Sequence, residues 1–346
     1  MDQRLFYILN GNNGATYILN TRNWNSITTS LEFYKARSLK ATVLKEGLRI
    51  FLMFSGNLCL KKLKSTQEIA EYLQTRFNLQ TGEVSDNCSV LISPTQDKVI
   101  IHRHGAYYYK IAYKESYTKV RNEGNIYKAL QRTKSFKVST FFEEKEVPGN
   151  YYSFKMGVPK HEAGNKSRSP NLVNALVEFF QIANNPKTTL SPSVKKVLCD
   201  IENENLKYDV SVLRNILEIK QLTFPVGLIH RDFKPWNIKK GKQLLIYDFE
   251  ETIRDGLPLE DLFNYHTDPI IRYKKTEDVV NFIFKEKHLN QYKKYLGKLN
   301  IEIEFEIFLL LYAWNRRMFW KENGETFTMA KYEDLFRALT IKLAGI

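Results

Sequence analysis

The sequence predicts an α+β protein, with a small antiparallel-sheet lobe near the N-terminus and a mainly helical lobe after it. Three observations predict it. Short β-rich runs, CSVLIS, KVIIHR and AYYYKIAY, follow one another from residue 88, joined by turns that contain Pro94 and Gly105. A helical pattern and two further strand patterns come next, and beyond them the chain reads mainly as helix with one short strand. The 346 residues, 43% apolar and 26% charged, are enough to bury cores in two lobes and far from a disordered composition.

In the first 80 residues a strand is expected at LFYILN, followed by a loop rich in Asn and Gly. SLKATVLKEGLRIFLMFSG reads as a strand, a helix or one of each. STQEIAEYLQTRF reads as a helix, since Ser65 or Thr66 can cap it and Ile69, Leu73 and Phe77 share one face. After the three strands a helix is expected from about Lys119 to Leu130, with Val120, Gly124 and Tyr127 at helical spacing. FKVSTFFEE and NYYSFKMGV are strand candidates, and the Gly-, Pro- and charge-rich stretch 157–171 reads as a domain junction. Helices follow at 171–183, 208–224, 276–289, 301–320 and 330–343, with a strand at LLIYDFE, residues 244–250. This sets three segments: residues 1–85 as an extension or subdomain, 86–158 as the sheet lobe and 159–346 as the helical lobe.

Charge and cysteine content narrow the function classes. The formal net charge is +14, and residues 1–64 hold ten Lys or Arg against three acidic residues. That pattern suits an ordinary solvated basic face, a polyanionic partner or an anionic membrane surface. Cys59, Cys88 and Cys199 have neither metal-ligand spacing nor a disulfide framework, and are expected to be buried small residues. No signal-peptide succession opens the chain, and the longest apolar run, IFLMF, is too short to span a bilayer. A cytoplasmic protein is expected, with peripheral contact at an inner membrane face as an option.

The chemistry concentrates in GLIHRDFKPWNIKK, residues 227–240, followed by LLIYDFE. Phosphoryl transfer requires a group to orient a hydroxyl and take its proton, together with hard oxygen ligands for a divalent cation. Asp232 can serve the hydroxyl, Asn237 can reach a metal, and Asp248 stands at the end of a short apolar strand where it can reach the same ion.

HRDFKPWN followed by YDFE resembles the kinase superfamily, and within it the aminoglycoside phosphotransferase and choline kinase-like small-molecule kinases. The resemblance covers roughly residues 88–345 and implies a bilobal protein kinase-like fold. It implies Asp232 as catalytic base, His230 as support of the loop, and Asn237, Asp248 and Glu250 at Mg²⁺. It also implies ATP or GTP as donor, with Lys110 of AYYYKIAY and Glu123 thirteen residues later as the phosphate-anchoring pair. Asp-Phe-Glu stands where protein kinases have Asp-Phe-Gly, which favours the small-molecule branch. EETIRDGLPLEDLFNYH is similar to a segment of bacterial phosphotransferases, some associated with surface polysaccharides, and implies that Asp261 braces the catalytic loop.

Two features depart from the pattern. SPTQDK, residues 93–98, has no glycine to cradle phosphate. Tyr108 shares the strand face of Lys110 by two-residue alternation and crowds the expected adenine site.

Candidate acceptor contacts are Trp236, Tyr265, His266, Asp268, Trp314, Arg316 and Arg317. Aromatic faces suit a sugar and an Arg pair suits an acidic group, although core packing explains Trp314 and a helix surface the arginines equally well. The expected reaction is Mg²⁺-dependent transfer of a γ-phosphoryl group to a hydroxyl of a small molecule or saccharide, a sugar hydroxyl being favoured and an envelope glycan precursor or an anionic or lipid-linked acceptor being options. The alternatives are a catalytically weak nucleotide-binding scaffold and a basic nucleic-acid-binding protein. The second needs a continuous basic and aromatic track, and the positives here are scattered.

Overall fold

The computed structural model describes residues 4–11, 14–33, 39–54, 63–79, 81–158, 171–183, 186–208, 210–218 and 223–344. Cys59 and residues 159–170 of the expected junction lie outside them. The architecture is α+β: a sheet-rich N-terminal unit and a largely helical C-terminal unit, the elements of a bilobal kinase-like fold. The compact units are Met1–Lys128 with Ser139–Lys160, and Ala129–Val138 with His161–Ile346.

The N-terminal elements are β1 (Arg4–Asn10), β2 (Thr16–Asn20), α1 (Trp24–Ser30), α2 (Leu39–Phe54), β3 (Lys64–Ser65), α3 (Thr66–Phe77), β4 (Cys88–Ile92), β5 (Lys98–Arg103), β6 (Tyr107–Tyr113) and α4 (Lys114–Ala129). Then come β7 (Phe136–Lys137), which groups with the second unit, and β8 (Phe141–Val147) and β9 (Tyr151–Gly157). Among the described residues eight strands form one sheet in the order β3-β1-β2-β4-β5-β6-β9-β8. The expected boundary near residue 85 falls inside this sheet, because β2 pairs with β4 through Thr16↔Ile92 and Ile18↔Val90.

Alternation along β2 shows how the sheet is covered. Ile18 joins a core with Ile69, Leu73 and Phe77 of α3, whereas its neighbour Leu19 packs with Ile27, Leu31 and Leu52. Ser65 is the cap of α3, in a reciprocal capping box with Glu68. Within the ambiguous 38–56 segment, Leu39–Phe54 is helical as α2. β2 itself was not expected, although YILN at 17–20 mirrors YILN at 7–10 across an Asn-Gly loop, and the two pair as Tyr7↔Leu19 and Leu9↔Tyr17.

Helix α4 starts five residues before the expected Lys119. Lys114 turns the chain with φ 44°, and Asp97 caps the new helix by accepting from the Ser116 N–H at 2.9 Å.

The second unit continues with α5 (Leu172–Gln181), β10 (Lys187–Thr189), α6 (Leu190–Asn203), α7 (Ser211–Glu218), β11 (Thr223–Pro225), β12 (Gly227–Ile229), β13 (Ile238–Lys240), β14 (Leu244–Ile246) and β15 (Ile253–Gly256). Its remaining helices are α8 (Glu260–Ile271), α9 (Thr276–Ile283), α10 (Glu286–Lys298), α11 (Phe305–Glu322) and α12 (Thr326–Ala344). The helix expected at 208–224 is shorter, since Thr223–Pro225 pairs with β10 as a strand. Helix α6 was not expected. Pro192 in its first turn is tolerated there, and Leu190, Val194, Val197 and Ile201 supply its buried stripe. The helix expected at 276–289 breaks after α9, where the His288 Nδ1–H donates to the Phe282 carbonyl at 2.8 Å. Cys88 is buried, but Cys199 is exposed on α6, a correction to the expectation for all three cysteines.

Candidate active site

In the second unit, β12 delivers the chain into the loop that begins at His230. Two donors anchor that loop: the N–H groups of His230 and Arg231 bond the two carboxylate oxygens of buried Asp261 at 2.7 and 3.0 Å. Burial pushes the Asp261 carboxyl up to about 8, against those two donors. Arg231 adopts φ 59°, and its carbonyl accepts from Asn264 Nδ2 at 2.9 Å and Arg316 Nη1 at 3.2 Å. Donors from α8 and α11 thus hold a backbone conformation that a non-glycine residue seldom adopts.

His230 is fully buried among Phe179, Phe233 and Phe249. Its Nε2–H donates to the Tyr247 carbonyl at 3.0 Å, tying the loop to the end of β14. Burial lowers its pKa, so the ring is neutral and acts as a brace.

Asp232 is half-buried. Asn237 Nδ2 donates to its carboxylate at 2.7 Å and to its carbonyl at 2.9 Å, which fixes the loop across five residues. Pro235 opens the 3₁₀ turn that places Asn237, and β13 then pairs with β14 through Ile238↔Ile246. β14 pairs in parallel with β7 and leads to Asp248, which has φ 74°. The Asp248 and Glu250 carboxylate oxygens lie within 4.8 Å of each other. Their hard oxygen donors suit Mg²⁺, which keeps several waters and needs few protein ligands.

These residues open on a cavity of about 400 Å³ lined by Asp232, Asp248, Glu250, Glu251, Phe319, Trp320, Asn323 and Glu325. No lysine or arginine is among the described lining residues. Phe319, Trp320, Asn323 and Glu325 were not singled out from the sequence. Phe319 and Trp320 lie on α11 one helical turn beyond the expected Arg316, and Asn323 and Glu325 follow just after the helix.

Lys234 was also passed over. Its buried ammonium contacts the Asp232 carboxylate and lies 3.1 Å from Asp268, over the rings of Trp236 and Trp320. The sequence signal was present in Asp-Phe-Lys, two residues beyond the expected base.

The expected acceptor residues are placed differently. Asp268 is buried and bonds Arg316 at 3.2 Å, Lys234 and the Tyr332 hydroxyl. Burial opposes its charge, but Arg316, Lys234 and Tyr332 hold its carboxyl below the usual range. Arg317 bonds Glu204 at 2.6 Å and Glu333 at 3.0 Å. Trp314 is 1% exposed and donates to Asp200 at 3.0 Å. His266 is buried, stacked on His288 at 4.0 Å with Nδ1 2.8 Å from the Tyr292 hydroxyl. Tyr265 packs on Phe233, and the Trp236 carbonyl accepts from the Tyr247 hydroxyl. None of these seven lines the cavity. Trp314 is core, one of the two readings open for it, and the two arginines are engaged with carboxylates, Arg316 with Asp268 of α8 and Arg317 with Glu204 just after α6 and Glu333 of α12.

In the first unit Lys110 sits in β6, paired to Ile100 on one side and Phe154 on the other. Its Nζ lies 2.7 and 2.8 Å from the two Glu123 carboxylate oxygens, and both residues are buried. Tyr108 stacks on His102 of β5 at 4.1 Å and meets Phe33 edge-on at 6.4 Å. The 93–98 turn is closed on itself: the N–H groups of Ser93, Gln96 and Lys98 all have partners within it. It therefore offers few amides to a phosphate.

The two units carry the α+β architecture of a bilobal kinase-like fold. No protein-family model matches the chain, and no curated protein matches it. Solved structures of aminoglycoside phosphotransferases do. The GDP and kanamycin complex of APH(2")-IIIa is 14% identical over 80% of this chain and 99% of that one, with a TM-score of 0.46. The GDP complex of aminoglycoside 2'-phosphotransferase-IIIa is 12% identical over 82% and 99%, with a TM-score of 0.40. A ternary complex of APH(4)-Ia with AMP-PNP and hygromycin B is 9% identical over 78% and 97%, with a TM-score of 0.42.

Proposed function

We propose that the chain is a Mg²⁺-dependent phosphotransferase that moves the γ-phosphoryl group of ATP or GTP to a hydroxyl of a small molecule or saccharide. The observation that carries this reading is Asp232, held by Asn237 and Lys234 at the wall of a cavity that also presents Asp248 and Glu250.

In this reading Asp232 orients the acceptor hydroxyl and receives its proton as the acceptor oxygen bonds to the γ-phosphorus. The bond from that phosphorus to the bridging oxygen breaks, and a nucleoside diphosphate leaves. Asp248, Glu250 and Asn237 would hold Mg²⁺, which would supply neutralisation of phosphate charge when bound. Lys110, steadied by Glu123, anchors the donor phosphates. His230 and Asp261 keep the loop in shape and touch no substrate.

The acceptor proposed here is cationic or amine-bearing, not the anionic option that overall charge raised. Asp232, Asp248, Glu250, Glu251 and Glu325 all line the cavity, and the two arginines meant for an acidic group are engaged with carboxylates. One acidic pocket outweighs the global sign because charge acts over about 10 Å in physiological salt. A saccharide hydroxyl on an amino-bearing, lipid-linked or envelope molecule remains within the proposal. So does peripheral contact with an anionic membrane, and among the described residues no helix is long and apolar enough to cross one.

The test is phosphorus NMR of the purified protein with Mg²⁺, ATP or GTP, and fractionated small molecules and glycans of its host. A new phosphoester signal that is absent with Asp232→Ala supports the reading. An acceptor bearing only acidic groups overturns the charge assignment.

The Tyr108–His102 stack beside Lys110 favours a second reading, a nucleotide-binding scaffold with weak catalysis. Nucleotide binding with no turnover in any fraction would select it.

A further inference from the structure

Both oxygens of the Asp232 carboxylate have a partner. Asn237 Nδ2 donates to Oδ2 at 2.7 Å, and the Lys234 ammonium contacts Oδ1. A carboxylate has about four lone-pair sites, so about two remain for a hydroxyl that enters from the cavity, and their direction depends on where the two donors sit. Asn237 is placed by its 3₁₀ turn and by a second bond to the Asp232 carbonyl at 2.9 Å. Lys234 differs, because a lysine is a compact charge on a flexible stem and does not fix its own position.

What fixes it comes from another element. Asp268 of α8 is 8% exposed, as Lys234 is. Its Oδ2 lies 3.1 Å from Lys234 Nζ and 3.2 Å from Arg316 Nη2, and its Oδ1 accepts from the Tyr332 hydroxyl. Donors from the catalytic loop, α11 and α12 therefore converge on one buried carboxylate. Arg316 and Tyr332 are fully buried and leave it little room to move. Arg316 alone would balance the buried charge of Asp268. The second cation on the same oxygen, Lys234, is the link from this packed junction of helices to the site, and it lies between the rings of Trp236 and Trp320 at 5.7 and 5.6 Å.

We propose that Asp268 is a positioning residue for phosphotransfer: its carboxylate holds the Lys234 ammonium against Asp232 Oδ1 and so aims the remaining lone pairs of Asp232 at the acceptor hydroxyl. Asp268 is not among the residues that line the cavity, and it acts through Lys234. This rests on the phosphotransferase reading above.

The test is a double-variant cycle of Asp268→Asn and Lys234→Met in the full chain. It is read as kcat and nucleotide KM for hydrolysis of Mg-ATP and Mg-GTP, with water as acceptor, and for transfer to kanamycin as an amine-bearing saccharide. Each single variant should lower kcat by about 10²-fold with nucleotide KM unchanged. The double variant should be no slower than the singles, since without the ammonium Asp268 has nothing to position. Tryptophan emission should change in both single variants, as the ammonium leaves Trp236 and Trp320, and no further in the double one. Where Asp268→Asn does not fold, Asp268→Asn with Arg316→Gln removes the buried charge together with its other partner and takes its place in the same cycle.

Losses in kcat that multiply in the double variant assign Asp268 a structural effect of its own and overturn the proposal. So does an Asp268→Asn protein with the parent's kcat, a loss confined to KM, or emission that Asp268→Asn leaves unchanged. No turnover by the parent, with these probes or with the fractionated host molecules, overturns the phosphotransferase reading and this role with it.

Discussion

At the scale of single residues, Asp232 and the Lys110–Glu123 pair invite opposite expectations. Asp232 is half-buried, and Lys234 keeps Asp268 as a partner at 3.1 Å when the Asp232 carboxylate is removed, so in the proposed reading Asp232→Ala should lower turnover by roughly 10²–10⁴-fold, the usual span for a general base, with only a modest fall in the unfolding midpoint. Lys110 is different because its partner is wholly buried. Lys110→Met leaves the Glu123 carboxylate uncompensated and should cost about 3–5 kcal/mol, whereas Lys110→Met with Glu123→Leu should recover most of that loss. Denaturant titration of both variants checks the pair, and a double variant no more stable than the single one would show that the charge was not the cause. The Lys110–Glu123 pairing and the closeness of Asn237 to Asp232 were legible in the sequence, since their spacing is short-range. Lys234 and the α11 cavity lining were not, because what commits Lys234 is its contact with Asp268, 34 residues away. Arg316 and Arg317 misled for the same reason: their partners Asp268, Glu204 and Glu333 come from other helices.

At the scale of elements, strands and helices with one clear period were legible, including β4 to β6 and α3, and those shaped by a single backbone event were not. The early start of α4 depends on Lys114 at φ 44° and the Asp97 cap, and neither has a period to betray it. The seating of α4 depends on Gly124, where a Cβ would lie 2.2 Å from the Tyr152 hydroxyl. That hydroxyl bonds Glu144 at 2.5 Å and has little room to retreat. Gly124→Ala should therefore destabilise the sheet unit by roughly 1–3 kcal/mol in spite of alanine's better helix propensity. It should also shift the helix that carries Glu123, so nucleotide affinity should fall with stability. Calorimetry beside nucleotide titration separates the two effects, and a stabilised variant would mean that Tyr152 moves aside freely.

At the scale of the whole molecule, the two units carry different balances of acid-sensitive groups. In the sheet unit burial pushes His102 down to about 3 and His104 down to about 4, and the proximity of the two rings lowers His102 further. The folded state refuses protons that the unfolded chain accepts near pH 6.5. Stability from these rings is thus complete above pH 6.5 and is lost as pH falls toward 3, at about 1.4 kcal/mol per pH unit for fully buried His102. Asp97 and Glu144 have lowered carboxyl pKa values and add to the loss at the acid end. The helical unit contains three histidines that burial lowers, His230, His288 and His266, the last pushed down to about 3, but it also contains Asp261, pushed up to about 8 by burial, and Glu260, raised by burial. Those two carboxyls bind protons more readily folded than unfolded, so acidification, from about pH 8 for Asp261, stabilises the folded unit and offsets part of the histidine loss. Scanning calorimetry at pH 7.5 and 5.0 should show the sheet-unit transition moving down by more than the helical one. His102→Phe keeps a ring against Tyr108 and removes the titrating nitrogen, so it should flatten the acid dependence of the first transition alone. Transitions that shift together, or a His102→Phe protein with the parent's slope, would place the acid sensitivity elsewhere.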